Sequence, residues 1–250
     1  MAAFVLVHGG LHGSWCWERV VPLLREAGHA VEAIDLPGAD GQRLRKDVTF
    51  ADYVAATVEA VERAGEQPIL VGHSLGGRSI SAAAEERPDL VRGLVYVAAL
   101  LPSPDGGIAL PAPQDNIIAS GFYPVEDGAS VMLDEGPARV GFYSDCSEED
   151  AKAAFARIVP QPVRAMTEAV TISHARWGSV PRYYVFTHED RTIPLDFQQQ
   201  MERQSPCGRT FDLPSGHSPF YTHSRELADI LCAVAVQLAE STKDAGEMQA

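Results

Sequence analysis

The feature that most constrains this chain is a short apolar run that leads directly into a glycine-flanked serine. Residues 69–71 are Ile-Leu-Val, residues 72–76 read Gly-His-Ser-Leu-Gly, and a helical, alanine-rich pattern follows to residue 86. A serine on such a strand-to-helix turn has a strained backbone and exposes its hydroxyl above the sheet. Only very small residues fit at the positions two before and two after it. The pattern therefore predicts that Ser74 is a nucleophile. The alternative is a glycine-rich turn whose serine only caps a helix.

Strand-like and helix-like patterns alternate along the rest of the chain. Strands are predicted over residues 4–7, 29–35, 69–71, 91–98, 182–187 and 209–213. Helices are predicted over residues 15–27, 50–64, 79–86, 194–203 and 224–240. This alternation with short joints predicts an α/β fold, with a mostly parallel, doubly wound sheet and helices on both faces.

The alternation stops after residue 100. Residues 101–177 are rich in proline and glycine, contain only short helical pieces (148–158 and 162–169), and are too long for an ordinary loop. We predict that residues 101–177 form a lid over the carboxyl ends of the strands. The core would then consist of residues 1–100 and 178–250.

Composition excludes several classes of function. The formal charge of −14 argues against nucleic acid and anionic membrane surfaces as partners. No apolar run approaches the length of about 20 residues that spans a bilayer, and the start of the chain resembles no secretory signal. The cysteines are scattered without a C-x-x-C pair, which is typical of a reducing compartment. We therefore expect a cytoplasmic protein.

No pattern calls for a cofactor or a metal ion. The loop after the first strand has no G-x-G-x-x-G fingerprint, and the chain has no phosphate-binding lysine motif. Its histidines and cysteines lack the spacing of metal ligands on one element. His8 and His73 flank the two glycine-rich loops and are expected to hold backbone through hydrogen bonds. His12 is expected to support its own loop, and the alternative is that it lines the pocket.

A serine nucleophile needs a base, an orienting acid and donors for the oxyanion. Asp190 follows the strand 182–187 and His217 follows the strand 209–213, so the three groups occur in the order Ser, Asp, His that is typical of α/β-hydrolases. Two alternatives are that Glu189 is the acid, with Asp190 capping a helix, and that His217 is a surface turn residue.

The expected oxyanion donors lie in the two glycine-rich loops. On this fold, one donor is the N–H of the residue after the nucleophile, which is Leu75 here, and the second comes from the loop after an early strand. We assign the second donor to Gly10. The alternative is that Gly9 and Gly10 only make a turn.

Four stretches together resemble the plant methylesterase and hydroxynitrile lyase family of the α/β-hydrolase superfamily, which includes the salicylic-acid-binding methylesterase. The stretches are residues 8–17, 71–77, 178–184 and 187–197. The resemblance implies a cofactor-free esterase, often dimeric, with a small apolar pocket under a helical lid. It assigns the triad to Ser74, Asp190 and His217 and the oxyanion donors to Gly10 and Leu75.

Two positions distinguish the branches of that family. The lyase branch has a threonine after the first-loop histidine and a lysine after the catalytic histidine; these positions are Gly9 and Ser218 here. Ser218 cannot supply the charge that would hold a leaving cyanide, so ester chemistry is favoured. Gly9, Leu100 and Ser218 are the positions where we expect substrate contact.

The main hypothesis is therefore a serine esterase acting on small, largely apolar esters, such as methyl or aryl esters. A second hypothesis keeps the pocket but changes the reaction to hydroxynitrile cleavage, lactone opening or carbon–carbon bond hydrolysis. A third is a ligand-binding protein that retains a hydrolase shell, against which the complete triad argues.

Overall fold

The computed structural model describes residues 1–39, 41–65, 67–107 and 117–247, with side chains described up to residue 241. Its strands are β1 (Ala3–Val7), β2 (Ala30–Ile34), β3 (Ile69–His73), β4 (Gly93–Val97), β5 (Phe122–Val125), β6 (Ser130–Leu133), β7 (Gln161–Pro162), β8 (Arg182–Thr187) and β9 (Arg209–Leu213). Its α-helices are α1 (Val20–Glu26), α2 (Phe50–Arg63), α3 (Gly76–Glu86), α4 (Glu135–Gly141), α5 (Glu148–Phe155), α6 (Val163–Thr167), α7 (Leu195–Gln204), α8 (Pro219–Thr222) and α9 (Ser224–Glu247).

Six of these strands form one parallel sheet in the order β2-β1-β3-β4-β8-β9. The residues of β1, β3 and β4 are buried and mostly apolar, as is typical of central strands covered on both faces. One apolar core lies between the sheet and helices α1 and α9, and the other between the sheet and helices α2, α3 and α7. The predicted parallel, doubly wound sheet is confirmed.

The first helix differs from the sequence prediction of a single helix over residues 15–27. A 3₁₀ turn over Ser14–Trp17 comes first, and α1 begins only at Val20. Pro22 accounts for the late start, because proline lacks an N–H and is tolerated in the first turn of a helix but not in its interior. At the other end of the chain, α9 continues to Glu247, seven residues beyond the predicted end.

The chain between β4 and β8 does not enter the main sheet, and we refer to residues 101–177 as the lid segment. It contains α4, α5 and α6, and it also contains a three-stranded sheet in the order β5-β6-β7 that the sequence analysis did not predict. These strands are short, and two of them contain proline, so they show no clear alternation. Residues 108–116 of the lid segment lie outside the described residues. Of the described helices, none is both long and apolar enough to cross a membrane.

Candidate active site

Ser74 stands on the turn between β3 and α3. Its φ of 51° lies in the left-handed region, which is strained for a residue with a side chain. The turn is fixed to the end of β4, because the Ser74 amide donates to the Val97 carbonyl at 3.3 Å and the Leu100 amide donates to the Ser74 carbonyl at 3.0 Å. The backbone geometry is thus the one predicted from the sequence.

The glycines beside Ser74 are required by close backbone contacts. A Cβ at Gly76 would lie 2.6 Å from the His8 carbonyl oxygen, and a Cβ at Gly72 would lie 2.9 Å from the Gly76 backbone. Gly9 approaches the same turn, and a Cβ there would lie 2.8 Å from the Ser74 Cβ. A larger residue at these positions would displace the serine.

The His217 imidazole reaches Ser74 from the loop after β9. Its Nε2 lies 3.0 Å from the Ser74 Oγ, and its Nδ1 lies 2.8 Å from the Asp190 Oδ2. Only 1% of the His217 surface is exposed. Because the carboxylate can only accept, Nδ1 carries the proton and Nε2 is free to accept from the serine hydroxyl. The arrangement is therefore that of a general base poised on a nucleophile.

The Asp190 carboxylate is fully supplied with donors. Its Oδ1 accepts from the amides of Thr192 at 2.8 Å and Ile193 at 2.9 Å. Its Oδ2 accepts from Thr187 Oγ1 at 3.0 Å, in addition to His217. These hydrogen bonds fix the orientation of the carboxylate toward His217.

The rival acid, Glu189, is exposed on the same loop. Its backbone amide donates to the Ser215 carbonyl at 2.9 Å, but its side chain makes no hydrogen bond to His217 in the described part of the chain. The geometry therefore brings Asp190, and not Glu189, to the imidazole.

Gly10 and Leu75, the two expected oxyanion donors, line the same cavity as Ser74. Leu75 precedes α3, where the first N–H groups of a helix have no intrahelical partner. Gly10 lies against Leu75, since a Cβ at Gly10 would be 3.4 Å from Leu75 Cδ2. Neither amide donates a hydrogen bond to another described residue. Two free N–H groups beside a nucleophile are what an oxyanion hole requires.

Three buried histidines hold the backbone around these groups. His8 Nδ1 lies 2.8 Å from the Gly9 oxygen, His12 Nδ1 lies 2.8 Å from the Gly10 oxygen, and His73 Nε2 lies 2.8 Å from the His217 oxygen. Burial lowers the pKa of all three, and that of His12 falls to about 3. Each is therefore a neutral imidazole whose N–H donates to a carbonyl of the site.

A cavity of about 190 Å³ opens above Ser74 and has a mainly apolar lining. It is lined by Gly10, Leu11, His12, His73, Ser74, Leu75, Leu100, Ile118, Phe122, Phe142, Gln161, Met166, Thr192, Ile193 and His217. Leu100 thus lies where substrate contact was predicted. Gly9 packs beneath the serine instead. Ser218 is fully buried, its Oγ has no partner among the described residues, and it does not line the cavity.

The lid segment supplies lining residues that sequence reasoning missed. Phe142 stacks on the His217 ring with centroids 5.6 Å apart, and Gln161 and Met166 come from β7 and α6. No motif or periodicity in the lid segment marks these positions, so only the fold could reveal them. Among the described residues, no group of three or more His, Cys, Asp or Glu could hold a metal ion.

A family model and several known proteins match this chain over most of its length. A sequence model described as "Alpha/beta hydrolase family" matches residues 4–230. The chain is 34% identical over 215 residues to polyneuridine aldehyde esterase of Rauvolfia serpentina, which covers 78% of this chain and 81% of that protein. It is 35% identical over 214 residues to salicylic acid-binding protein 2 of Nicotiana tabacum, covering 78% and 82%.

Solved structures agree with these matches. The crystal structure of a pyrethroid hydrolase from Sphingobium faniae JZ-2 superposes with a TM-score of 0.83 at 29% identity. The superposition covers 96% of this chain and 99% of the other. The similarity therefore extends over the lid segment as well as the sheet.

Proposed function

Because the chain belongs to the alpha/beta hydrolase family, we propose that it is a serine esterase that hydrolyses small, largely apolar carboxylic esters. The observation that carries the proposal is the chain of contacts from Ser74 Oγ to His217 Nε2 at 3.0 Å and from His217 Nδ1 to Asp190 at 2.8 Å, at the floor of an apolar cavity. The names of its relatives support ester hydrolysis, since two of those named above are an esterase and a hydrolase.

The reaction begins when Ser74 Oγ attacks the carbonyl carbon of the ester and His217 Nε2 takes the hydroxyl proton. The carbonyl π electrons move to oxygen, and the amides of Gly10 and Leu75 stabilise the resulting oxyanion. Asp190 stabilises the imidazolium that has formed. When the oxyanion collapses, the bond to the alcohol oxygen breaks and His217 returns its proton to the leaving alcohol.

Water then completes the cycle. His217 removes a proton from a water molecule, whose oxygen attacks the acyl carbon bound to Ser74. A second tetrahedral oxyanion forms at the same two amides and collapses, releasing the carboxylic acid and restoring the serine hydroxyl. These residues supply the whole cycle.

The cavity sets the class of acyl group. A cavity of about 150 Å³ lined by apolar side chains holds a benzene molecule, and the cavity above Ser74 measures about 190 Å³. Among the residues that the structure describes, its lining contains no lysine, arginine or carboxylate. A substrate with one aromatic ring or a short alkyl chain, and without a free charge, therefore fits best.

Ester hydrolysis is favoured over hydroxynitrile cleavage by the residues around the triad. Ser218, which follows the catalytic histidine, is a buried neutral hydroxyl. It offers no positive charge to a departing cyanide ion. Gly9 packs against Ser74 and leaves no room for the threonine of the lyase branch.

The proposal includes a cytoplasmic location and a homodimer. All four cysteines are free, with no disulfide between them, which fits a reducing compartment. The homodimer rests on the family resemblance and is testable by size-exclusion chromatography with light scattering.

Replacement of Ser74 by alanine tests the proposal. We expect Ser74→Ala to abolish both the burst and the turnover of p-nitrophenyl butyrate, because no acyl-enzyme can form. The matched control is Ser179→Ala, which removes an exposed hydroxyl that donates to the Arg176 carbonyl. Turnover by Ser74→Ala equal to that of the Ser179→Ala control would rule out the nucleophile assignment.

A further inference from the structure

The peptide unit between Gly10 and Leu11 is held at both of its polar atoms. The Gly10 carbonyl accepts from His12 Nδ1 at 2.8 Å, and the Leu11 N–H donates to Gln161 Oε1 at 3.2 Å. We propose that Gln161 of the lid segment is a positioning residue for the oxyanion hole, holding this peptide so that the adjoining Gly10 N–H stays directed at the reacting oxygen. The inference rests on the proposed esterase function.

Backbone strain explains why the peptide needs to be held. Leu11 has a φ of 64°, in the left-handed region that residues with a side chain disfavour. A half-turn of the Gly10–Leu11 peptide would return Leu11 to negative φ, and the preceding glycine permits that rotation. Such a rotation would reverse the directions of the Gly10 carbonyl and the Leu11 N–H. It would also disturb the neighbouring Gly10 N–H. The contact with Gln161 opposes it.

Gln161 can do this because its own amide is fixed. Its Nε2 donates to Tyr53 Oη at 3.0 Å, so its oxygen is the atom that faces the Leu11 N–H. The side chain is only 4% exposed. A rotated peptide would point the Gly10 carbonyl at the Gln161 oxygen. Two buried acceptors would then face each other without a donor, which is unfavourable.

The carbonyl end of the peptide is held by His12, which in turn contacts the lid segment. His12 donates from Nδ1 to the Gly10 oxygen, and its Nε2 accepts from the Tyr143 hydroxyl at 2.8 Å. Burial keeps the pKa of His12 at about 3, so the imidazole is neutral and its donor remains at Nδ1. Gln161 and Tyr143 both belong to the lid segment, although the peptide they hold is in the core.

Gln161→Met tests the proposal, because methionine has nearly the same volume but cannot accept from Leu11. We expect kcat for p-nitrophenyl butyrate to fall about 10- to 100-fold. This decrease is no larger than the decrease in kcat that follows removal of an oxyanion donor itself. KM should stay within about twofold, because the amide acts mainly in the transition state. The matched control, Gln200→Met on the exposed side of α7, should leave both constants unchanged.

A pair of inhibitors separates positioning from general structural support. A trifluoromethyl ketone forms a tetrahedral anionic adduct with Ser74, whereas a methyl ketone with the same carbon skeleton binds without forming one. We expect Gln161→Met to weaken the trifluoromethyl ketone about as much as it lowers kcat and to leave the methyl ketone unchanged. An unchanged affinity ratio between the two ketones, or an unchanged kcat, would overturn the proposal.

Tyr53→Phe provides a second, milder variant. It retains the packing of the ring and removes one of the two acceptors of the Gln161 amide, the other being the Pro162 carbonyl at 3.3 Å. We expect about a threefold lower kcat with unchanged KM, the effect of one neutral hydrogen bond. A rise in KM with constant kcat would contradict the inference. If Ser74→Ala is inactive but Gln161→Met and Tyr53→Phe keep the kcat of the parent protein, only this inference is refuted. If Ser74→Ala remains active, the proposed function itself is refuted.

Discussion

The two sides of the candidate active site are held in place by different parts of the chain. On the acid side, Asp190 accepts from Thr187, Thr192 and Ile193, which lie within three residues of it along the chain. A fourth supporting donor, Gln198 of α7, lies only eight residues away. On the oxyanion side, the loop after β1 is held by Gln161, which is 150 residues away from Leu11. The acid is thus organised by its own loop and the helix that follows it, whereas the oxyanion loop depends on the lid segment.

The imidazole loop resembles the oxyanion side. Asp145 of the lid segment accepts from the Gly216 amide at 2.8 Å and from Thr222 Oγ1 at 2.9 Å, on either side of His217 along the chain. The lid segment therefore does more than line the cavity, since it also contacts two of the four loops that carry the candidate site. Changes in the lid segment should affect catalysis even where they do not touch the substrate.

The largest effect is expected on the acid side. Asp190→Asn should lower kcat by a factor on the order of 10⁴, because an amide facing the imidazole favours the wrong tautomer. The matched control is Glu189→Gln, which alters the exposed neighbouring acid and should leave kcat unchanged. Both rates can be measured with p-nitrophenyl butyrate. A large loss in Glu189→Gln with a small one in Asp190→Asn would reverse the assignment.

An intermediate effect is expected where the lid segment holds the imidazole loop. Asp145→Ala removes a charged acceptor and leaves the Gly216 amide without its partner, which should lower the free energy of unfolding by about 2 kcal/mol. The loosened loop should lower kcat about tenfold, since a small misplacement of the base slows proton transfer. Urea unfolding and steady-state kinetics measure the two changes.

Glu149→Ala is the control for that variant, because it removes an exposed acid from the lid segment without touching the imidazole loop. It should change neither stability nor kcat. If Asp145→Ala lost stability but kept its full kcat, the lid segment would stabilise the fold without positioning the base.

The smallest effect is a pH dependence on the oxyanion side. Burial lowers the pKa of His12 to about 3, whereas a histidine in an unfolded chain titrates near ~6.5. At pH values between these two pKa values, His12 binds a proton in the unfolded chain but not in the folded chain. The stabilising contribution is therefore present above pH ~6.5 and is lost as the pH falls, by about 2 kcal/mol at pH 5.

His12→Asn should remove that pH dependence while keeping a side-chain N–H near the Gly10 carbonyl. The difference in the free energy of unfolding between pH 7 and pH 5, measured with urea, should be about 2 kcal/mol smaller than in the parent protein. Tyr143→Phe removes the hydroxyl that contacts His12 but keeps the imidazole, so its pH dependence should match the parent. Equal pH dependence in His12→Asn and the parent would disprove the role of this histidine.

Much of the fold could be predicted because its signals are local. The parallel sheet of the α/β-hydrolase fold is confirmed, and buried apolar runs such as Ile69–His73 mark its strands directly. The structure brings Ser74, Asp190 and His217 together as the chain order predicted, since each follows a strand of that sheet and the carboxyl ends of parallel strands meet at one edge. Their catalytic roles remain part of the proposal.

The lid segment could not be predicted in the same way. Its sheet is built from strands of four, four and two residues, which are too short to show alternation. Its buried Gln161 and half-buried Asp145 resemble any polar loop residues in the sequence. Nothing in the local pattern distinguishes Gln161 from an exposed glutamine such as Gln200.

The sequence alone determined the serine turn, the glycines around it and the order of the three reacting groups. The left-handed turn at Ser74 and the close contact between Gly72 and Gly76 are imposed by neighbouring residues, and the order of the three groups is fixed along the chain. The tertiary structure alone decided which polar side chains of the lid segment hold the loops. Hydrogen bonds such as that between Leu11 and Gln161 join residues far apart along the chain, and they exist only after the lid segment has packed on the sheet and excluded water from both partners.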